Sequence, residues 1–211
     1  PELAYDEKAT EDELERMQSL LGDILDVKRT GVAHISFHLT NRYIAYRGLT
    51  EMMMDMIDEP AFAHELLSFF AESERRRVAQ LTGMNLLSLN NDGTYQNSGG
   101  NGYTDELPAA GFNPARVRPC DMWASAEAQE LAQVSPEMHN EFCIRYEREL
   151  LAPFGLTGYG CCEDLTHKMD YVFQIPHMRR ISISPFADVD ACAERLKGNY
   201  IFSWKPHPAH L

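Results

Sequence analysis

Leu14, Met17, Leu20, Leu21 and Ile24 recur at helical spacing behind the acidic opening of "TEDELERMQSLLGDI", which predicts an amphipathic helix over 10–24. The pattern changes to period two in "VAHISFHL" (32–39), a strand signature, and returns to helical spacing in "LTEMMMDMIDEP". Glu59 and Pro60 open a long helix to about Thr82, and Gly83 ends it. Met52, Met53, Met54 and Met56 read as core or lid packing rather than a soft-metal box. "MNLLSLNND" is a mostly apolar, strand-like run. Residues 93–119 then lose periodicity and are rich in Gly, Asn and Pro, which predicts a long loop inside a domain. "SGGNG" (98–102) neither follows a strand directly nor opens a helix, so it is a poor phosphate loop. Helices are predicted over 123–132 and 136–152, followed by the strand "GLTGYGC", a helix over 165–174, the strand "RRISIS", a helix over 188–196 and the strand "NYIFSWK".

Strands and helices alternate for most of the chain, which predicts an α/β fold with a parallel sheet, of the (β/α) TIM-barrel type. Such a barrel takes about 250 residues and eight strands; this chain has 211 residues and fewer strands. It reads as a single domain, 1–211, that is a fragment of a larger barrel. Either further segments or a neighbouring chain, such as a second copy in a homo-oligomer, would cover the open sheet edge.

The apolar content of 44% suits a folded domain. With 32 acidic against 19 basic side chains, the net charge of −13 repels phosphate backbones and anionic lipid, so nucleic acid and membrane surfaces are excluded as partners of choice. No apolar run approaches the roughly 20 residues of a spanning helix, and the acidic N-terminal stretch is unlike a targeting peptide, so a cytoplasmic location is expected. Cys120, Cys143, Cys161, Cys162 and Cys192 lack the density of a disulfide scaffold and are expected to be reduced.

Reactive groups of a β/α barrel lie at the carboxyl ends of its strands. Those ends carry His38, Asn91 and Asp92, the Cys161–Cys162–Glu163 cluster, Ser184, and Lys205 with His207. Cysteine prefers burial over turns, so two at a strand mouth stand out. A thiolate there could hold Zn²⁺ through Cys161 or Cys162; alternatively one cysteine packs inward and the other fills a tight spot behind the turn. Asp92 is a candidate general base or substrate clamp, or else a cap on the long loop. His207, between two prolines, is the preferred histidine; His34 and His38 share a side of their strand, and His167 belongs to a helix surface. Arg42 and Arg47 could receive carboxylates, whereas Arg179 and Arg180 stand at a strand start and are not assigned to catalysis.

The succession "DMIDEPAFAHELLSFF", "GMNLLSLNNDG", "VSPEMHNEFCIRYERELLAPFG", "YGCCEDL" and "NYIFSWKPHPAHL" resembles the uroporphyrinogen decarboxylase-like superfamily over residues 50–211. That superfamily unites the tetrapyrrole decarboxylase with corrinoid and coenzyme M methyltransferases, all β/α barrels. The resemblance implies methyl transfer from a corrinoid carrier protein to a small thiol-type acceptor, with Zn²⁺ held partly by Cys161 or Cys162 and with Asp92, Glu163 and His207 as further site residues. Its methyltransferase branch has a His-x-Cys-Gly zinc motif; here Tyr159 stands two residues before Cys161 and Gly160 two before Cys162, so Glu163 or His207 would have to replace the histidine. The same resemblance allows a cofactor-free decarboxylase acting on a tetrapyrrole, or a non-catalytic domain that binds a tetrapyrrole or corrinoid.

Overall fold

The computed structural model describes residues 2–97 and 100–210. Its core is a five-stranded, all-parallel sheet: β1 (Ser36–Phe37), β4 (Trp123–Ala126), β5 (Leu156–Tyr159), β6 (Met178–Ile183) and β7 (Ile201–Trp204), side by side in that order. A separate antiparallel hairpin, β2 (Tyr95–Asn97) with β3 (Gly100–Asn101), rises from the long loop. The "SGGNG" stretch falls in this hairpin, and its first two residues lie outside the described part of the chain.

The helices before the sheet's second strand are α1 (Glu7–Leu21), α2 (Leu39–Arg47), α3 (Leu49–Asp58) and α4 (Pro60–Gly83). Between β4 and β5 come α5 (Pro136–His139), one π-type turn over Asn140–Ile144, and α6 (Arg145–Leu151); α7 (Met169–Val172) and α8 (Val189–Leu196) complete the later crossovers. Local chemistry sets several of these ends. Asp6 caps α1 through the amide of Ala9, Pro60 occupies the first turn of α4, and Asp188 caps α8 through the amide of Ala191. The first helix therefore starts three residues before the position that its apolar stripe marks.

From β4 to β7 each strand lies beside the next one in sequence. Right-handed crossovers between sequential parallel neighbours all place their helices on the same face of the sheet. Ile35, Phe37, Ala124, Ala126, Tyr159, Ile181 and Ile183 point to that face and join one apolar core with Leu67, Phe70, Phe142, Ile144 and Leu151 from the helices. The alternate positions, Ser36, Trp123, Ser125, Leu156, Gly158, Arg180 and Ser182, belong to the opposite face. There the long loop lies over them: Leu107 packs with Trp123 and Leu156, Trp123 Nε1 donates to the carbonyl of Gly102, and Ser125 Oγ donates to the carbonyl of Gln96.

Two departures from the sequence pattern matter. Residues 123–126, expected as the start of a helix, form β4, fully buried on both sides. Alanine favours helix in isolation, but the alternation of Trp123 and Ser125 with Ala124 and Ala126 fits a central strand, and tertiary packing overrides the propensity. Conversely, the run at 84–92 is not a regular strand. It makes one parallel bridge, Leu87 to Val32, and then Asn90 takes over. The completely buried Asn90 side chain accepts from the amide of Trp123 at 2.8 Å and donates to the carbonyls of Ala33 (2.7 Å) and Trp123 (3.0 Å) and to Gln96 Oε1 (3.0 Å). A side-chain amide thus replaces the ladder where β1 passes from Leu87 to β4.

Among the described residues, no helix is long and apolar enough to cross a membrane.

Candidate active site

The carboxyl ends of the parallel strands bring together His38 after β1, Glu127 after β4, Cys161 after β5, Ser184 after β6 and Lys205 after β7. The register aligns Ser36 with Ser125, Gly158 and Arg180, so the tips of four neighbouring strands project from the same level. His38 Nδ1 and Glu127 Oε1 are 2.8 Å apart, and the Glu127 side chain is only 12% exposed. Burial works against ionisation of Glu127, but the hydrogen bonds from His38 and from Cys161, with the charge of Lys205 beyond them, outweigh it and hold the carboxyl below its usual range.

The "GYGCCE" turn explains how Cys161 arrives there. Gly160 adopts φ +95°, and a Cβ on it would stand 2.8 Å from Leu165 Cδ1, so a side chain is excluded both by conformation and by space. Its amide donates to Ala126 O, which extends the β4–β5 ladder by one step before the chain turns. Glu163, completely buried, then clamps the turn: one oxygen accepts from the amide of Cys161 at 2.7 Å and the other from the amide of Ala128 at 3.2 Å. Burial raises the Glu163 carboxyl despite these backbone bonds. The Cys161 carbonyl receives Lys205 Nζ and, at 3.2 Å, Ser182 Oγ. Cys161 is therefore fixed from three strands.

No disulfide joins the five cysteines; the sulfurs of half-buried Cys161 and exposed Cys162 are 3.5 Å apart. Neither is packed inward as a core residue: Cys143 and Cys192 have that role. Among the described residues, no group of three or more His, Cys, Asp or Glu side chains is placed to hold a metal ion. Tyr159, two residues before Cys161, points to the helix face, where its hydroxyl meets His139 Nε2 at 2.9 Å.

The other residues singled out from sequence take distinct places. Asp92 is exposed and accepts from both the amide (2.9 Å) and the hydroxyl (2.5 Å) of Thr94, which is the loop-capping arrangement, and these bonds lower its carboxyl. His207 is exposed beyond β7, its Nδ1 accepting from the amide of Ala209 at 3.1 Å. His167 is exposed. Arg42 pairs with Glu74, and Arg47 makes two bonds to Asp55, at 2.8 and 3.0 Å. The structure thus brings His38, Cys161, Glu163 and Lys205 into one site and leaves Asp92 and His207 at its periphery.

Glu127 is the residue that sequence reasoning missed, because it sat in a predicted helix. Reading "WASAE" as an alternating strand would have put Glu127 first after its end. Tyr95, from the hairpin, is the second: burial and the charges of Cys161 and Glu127 raise its phenol, which sets it near the same cluster.

No known protein family, curated protein or solved structure matches the chain. Geometry and chemistry carry the assignment of this site.

Proposed function

We propose that the chain is part of a (β/α) barrel of the uroporphyrinogen decarboxylase-like type, and that its strand-tip cluster moves a methyl group to a small thiol-type acceptor. The fold supports the first half: sequential parallel neighbours with every crossover on one face is the winding of a barrel wall. The second half rests on one observation, the His38–Glu127 pair beside Cys161 at three adjacent strand ends.

With Glu127 accepting the Nδ1 proton of His38, Nε2 is left to receive the proton of an acceptor X–H. The sulfur freed of its proton is the stronger nucleophile; it attacks the methyl carbon, and the electrons of the broken bond stay with the donor. A corrinoid presented by a partner protein supplies the methyl group. His38 then returns its proton to water. Glu127 steadies the imidazolium, Cys161 and Lys205 stand beside the pair, and Glu163 holds the turn. No step in this scheme passes through a metal.

The test is methyl transfer from methylcobalamin to small thiols, followed by loss of the methylcobalamin absorbance. Transfer that falls by two orders of magnitude or more in His38→Gln, about the size of general-base contributions, supports the proposal. Absence of transfer, or transfer undiminished in His38→Gln, overturns it.

A further inference from the structure

Arg180 is a buried cation without an anion. It is 3% exposed, on the loop-covered face of β6, and no carboxylate pairs with it among the described residues. Nη1 donates to the carbonyl of Asn101 at 3.0 Å, while Nη2 is buried and has no hydrogen-bond partner among the described residues. The guanidinium carbon stands 5.2 Å from the centre of the Trp123 ring, and a Cβ at Gly158 would be 3.4 Å from Nη2. The side chain therefore reaches from β6 across the bare backbone of β5 to the indole at the start of β4.

The other arginines that contact buried acids are all compensated: Arg42 and Arg77 by Glu74, Arg47 by Asp55, Arg118 by Asp121. Its neighbour Arg179 is paired with Glu106. An uncompensated buried charge and an unpaired buried N–H each destabilise a fold, and an anion bound at Nη2 would relieve both costs. Gly158 stands two residues before Gly160 on β5, and at about 3.3 Å per residue Arg180 lies roughly 7 Å beneath the Cys161 turn.

The geometry points to Arg180 as the binding group for a substrate carboxylate, held one layer below the His38–Glu127–Cys161 cluster. This deepens the methyl-transfer reading by naming the acceptor's class: a small organic acid whose carboxylate lies inward and whose reacting atom faces the strand tips. A carboxylate suits the place because it carries one charge and is planar, matching one free guanidinium edge above a flat indole. Hairpin β2–β3 contacts the same guanidinium, its Asn101 carbonyl accepting from Nη1.

Trp123 supplies the readout. The chain has two tryptophans, and Trp204 on the edge strand can be changed to Phe so that emission reports Trp123 alone. In that background, succinate and benzoate should change the emission saturably, succinamide and benzamide should not, and R180Q should weaken carboxylate binding at least tenfold. If R180Q does not fold, the contrast between acids and amides in the parent protein decides, together with R180K, which keeps the charge but lacks the planar fork and should also bind more weakly. Equal response to acids and amides, no saturation, or unchanged affinity in R180Q or R180K overturns the inference. H38Q separates the two proposals: it should lose methyl transfer and keep carboxylate binding. Carboxylate binding without any turnover in the parent protein would retire the catalytic reading alone. Turnover without carboxylate preference would retire this one alone.

Discussion

His38 Nδ1 lies 2.8 Å from Oε1 of Glu127, across the junction of β1 and β4. These residues are far apart in sequence, and their strands are parallel neighbours, with the Asn90 side chain bonded both to Ala33 before β1 and to Trp123 of β4. The pair is thus a product of topology, and its consequences can be separated from those of the fold around it.

Replacing Glu127 by Gln keeps the shape and removes the charge. Turnover in Glu127→Gln is expected to fall by about 10² or more, with a modest loss of thermal stability near neutral pH because the stabilising charge goes while a hydrogen bond to the imidazole is retained. Steady-state rates combined with a melting curve check both halves. The sign of the pH dependence follows from the carboxyl being held below its usual range: in the folded parent protein the stabilising charge is present above the ordinary carboxylate pKa and is lost as pH falls through the lower folded value.

Adjacent thiols 3.5 Å apart, one exposed and one half-buried, are suited to bridging by a trivalent arsenical. Phenylarsine oxide is expected to bind the native protein with one-to-one stoichiometry, measured by mass spectrometry, and to bind C161S or C162S much more weakly. Cys143 and Cys192, both buried, should not react until the protein unfolds.

Gly160→Ala places a Cβ 2.8 Å from Leu165 Cδ1 at a φ of +95°. A loss of about 1–3 kcal/mol is expected, read from denaturant midpoints, with activity falling further because the Cys161 turn is displaced. Gly83→Ala is the control: nothing stands within 4 Å of its added methyl.

Glu147 is completely buried on the helix face near Cys143 and Tyr159, both its oxygens lack a hydrogen-bond partner among the described residues, and burial pushes its carboxyl well above the usual range. It is therefore protonated in the folded chain at pH values where the unfolded chain has ionised it. Stability should decline as pH rises above the ordinary glutamate value of about 4.3, by at most about 1.4 kcal/mol per pH unit for this one proton. Glu147→Gln should be more stable than the parent at neutral pH and show a flatter dependence, measured by urea unfolding between pH 5 and about 8.

Much of this architecture was legible in the sequence because its periodicities are strong. The helix over 188–196, Pro60 at the start of α4, and the strands β5 to β7 are all legible in the residue pattern, and the alternation of strands and helices predicts the parallel α/β fold. The reading failed where local preference and tertiary setting disagree. "WASAE" contains good helix formers, yet it runs through the centre of the sheet, and hiding that strand also hid Glu127. "MNLLSLNND" looks like a strand, yet at Asn90 the backbone partner is exchanged for a side-chain amide, which no period reveals. Arg180 was set aside by its place at a strand start; only the long loop lying over that face shows it to be buried and unpaired. His207 was favoured for its rigid flanking prolines, whereas the structure couples His38 to a carboxylate that sequence spacing could not supply.

General-base catalysis by His38 requires Glu127 to hold the ring with its Nδ1 protonated, leaving Nε2 for the acceptor. Nitrogen-15 NMR of the imidazoles at neutral pH tests this directly. The expected result is a His38 ring fixed as the Nδ1–H tautomer in the parent protein and averaged between tautomers in Glu127→Gln; a ring that is Nε2–H, or averaged, in the parent protein would overturn the proposed role of the pair.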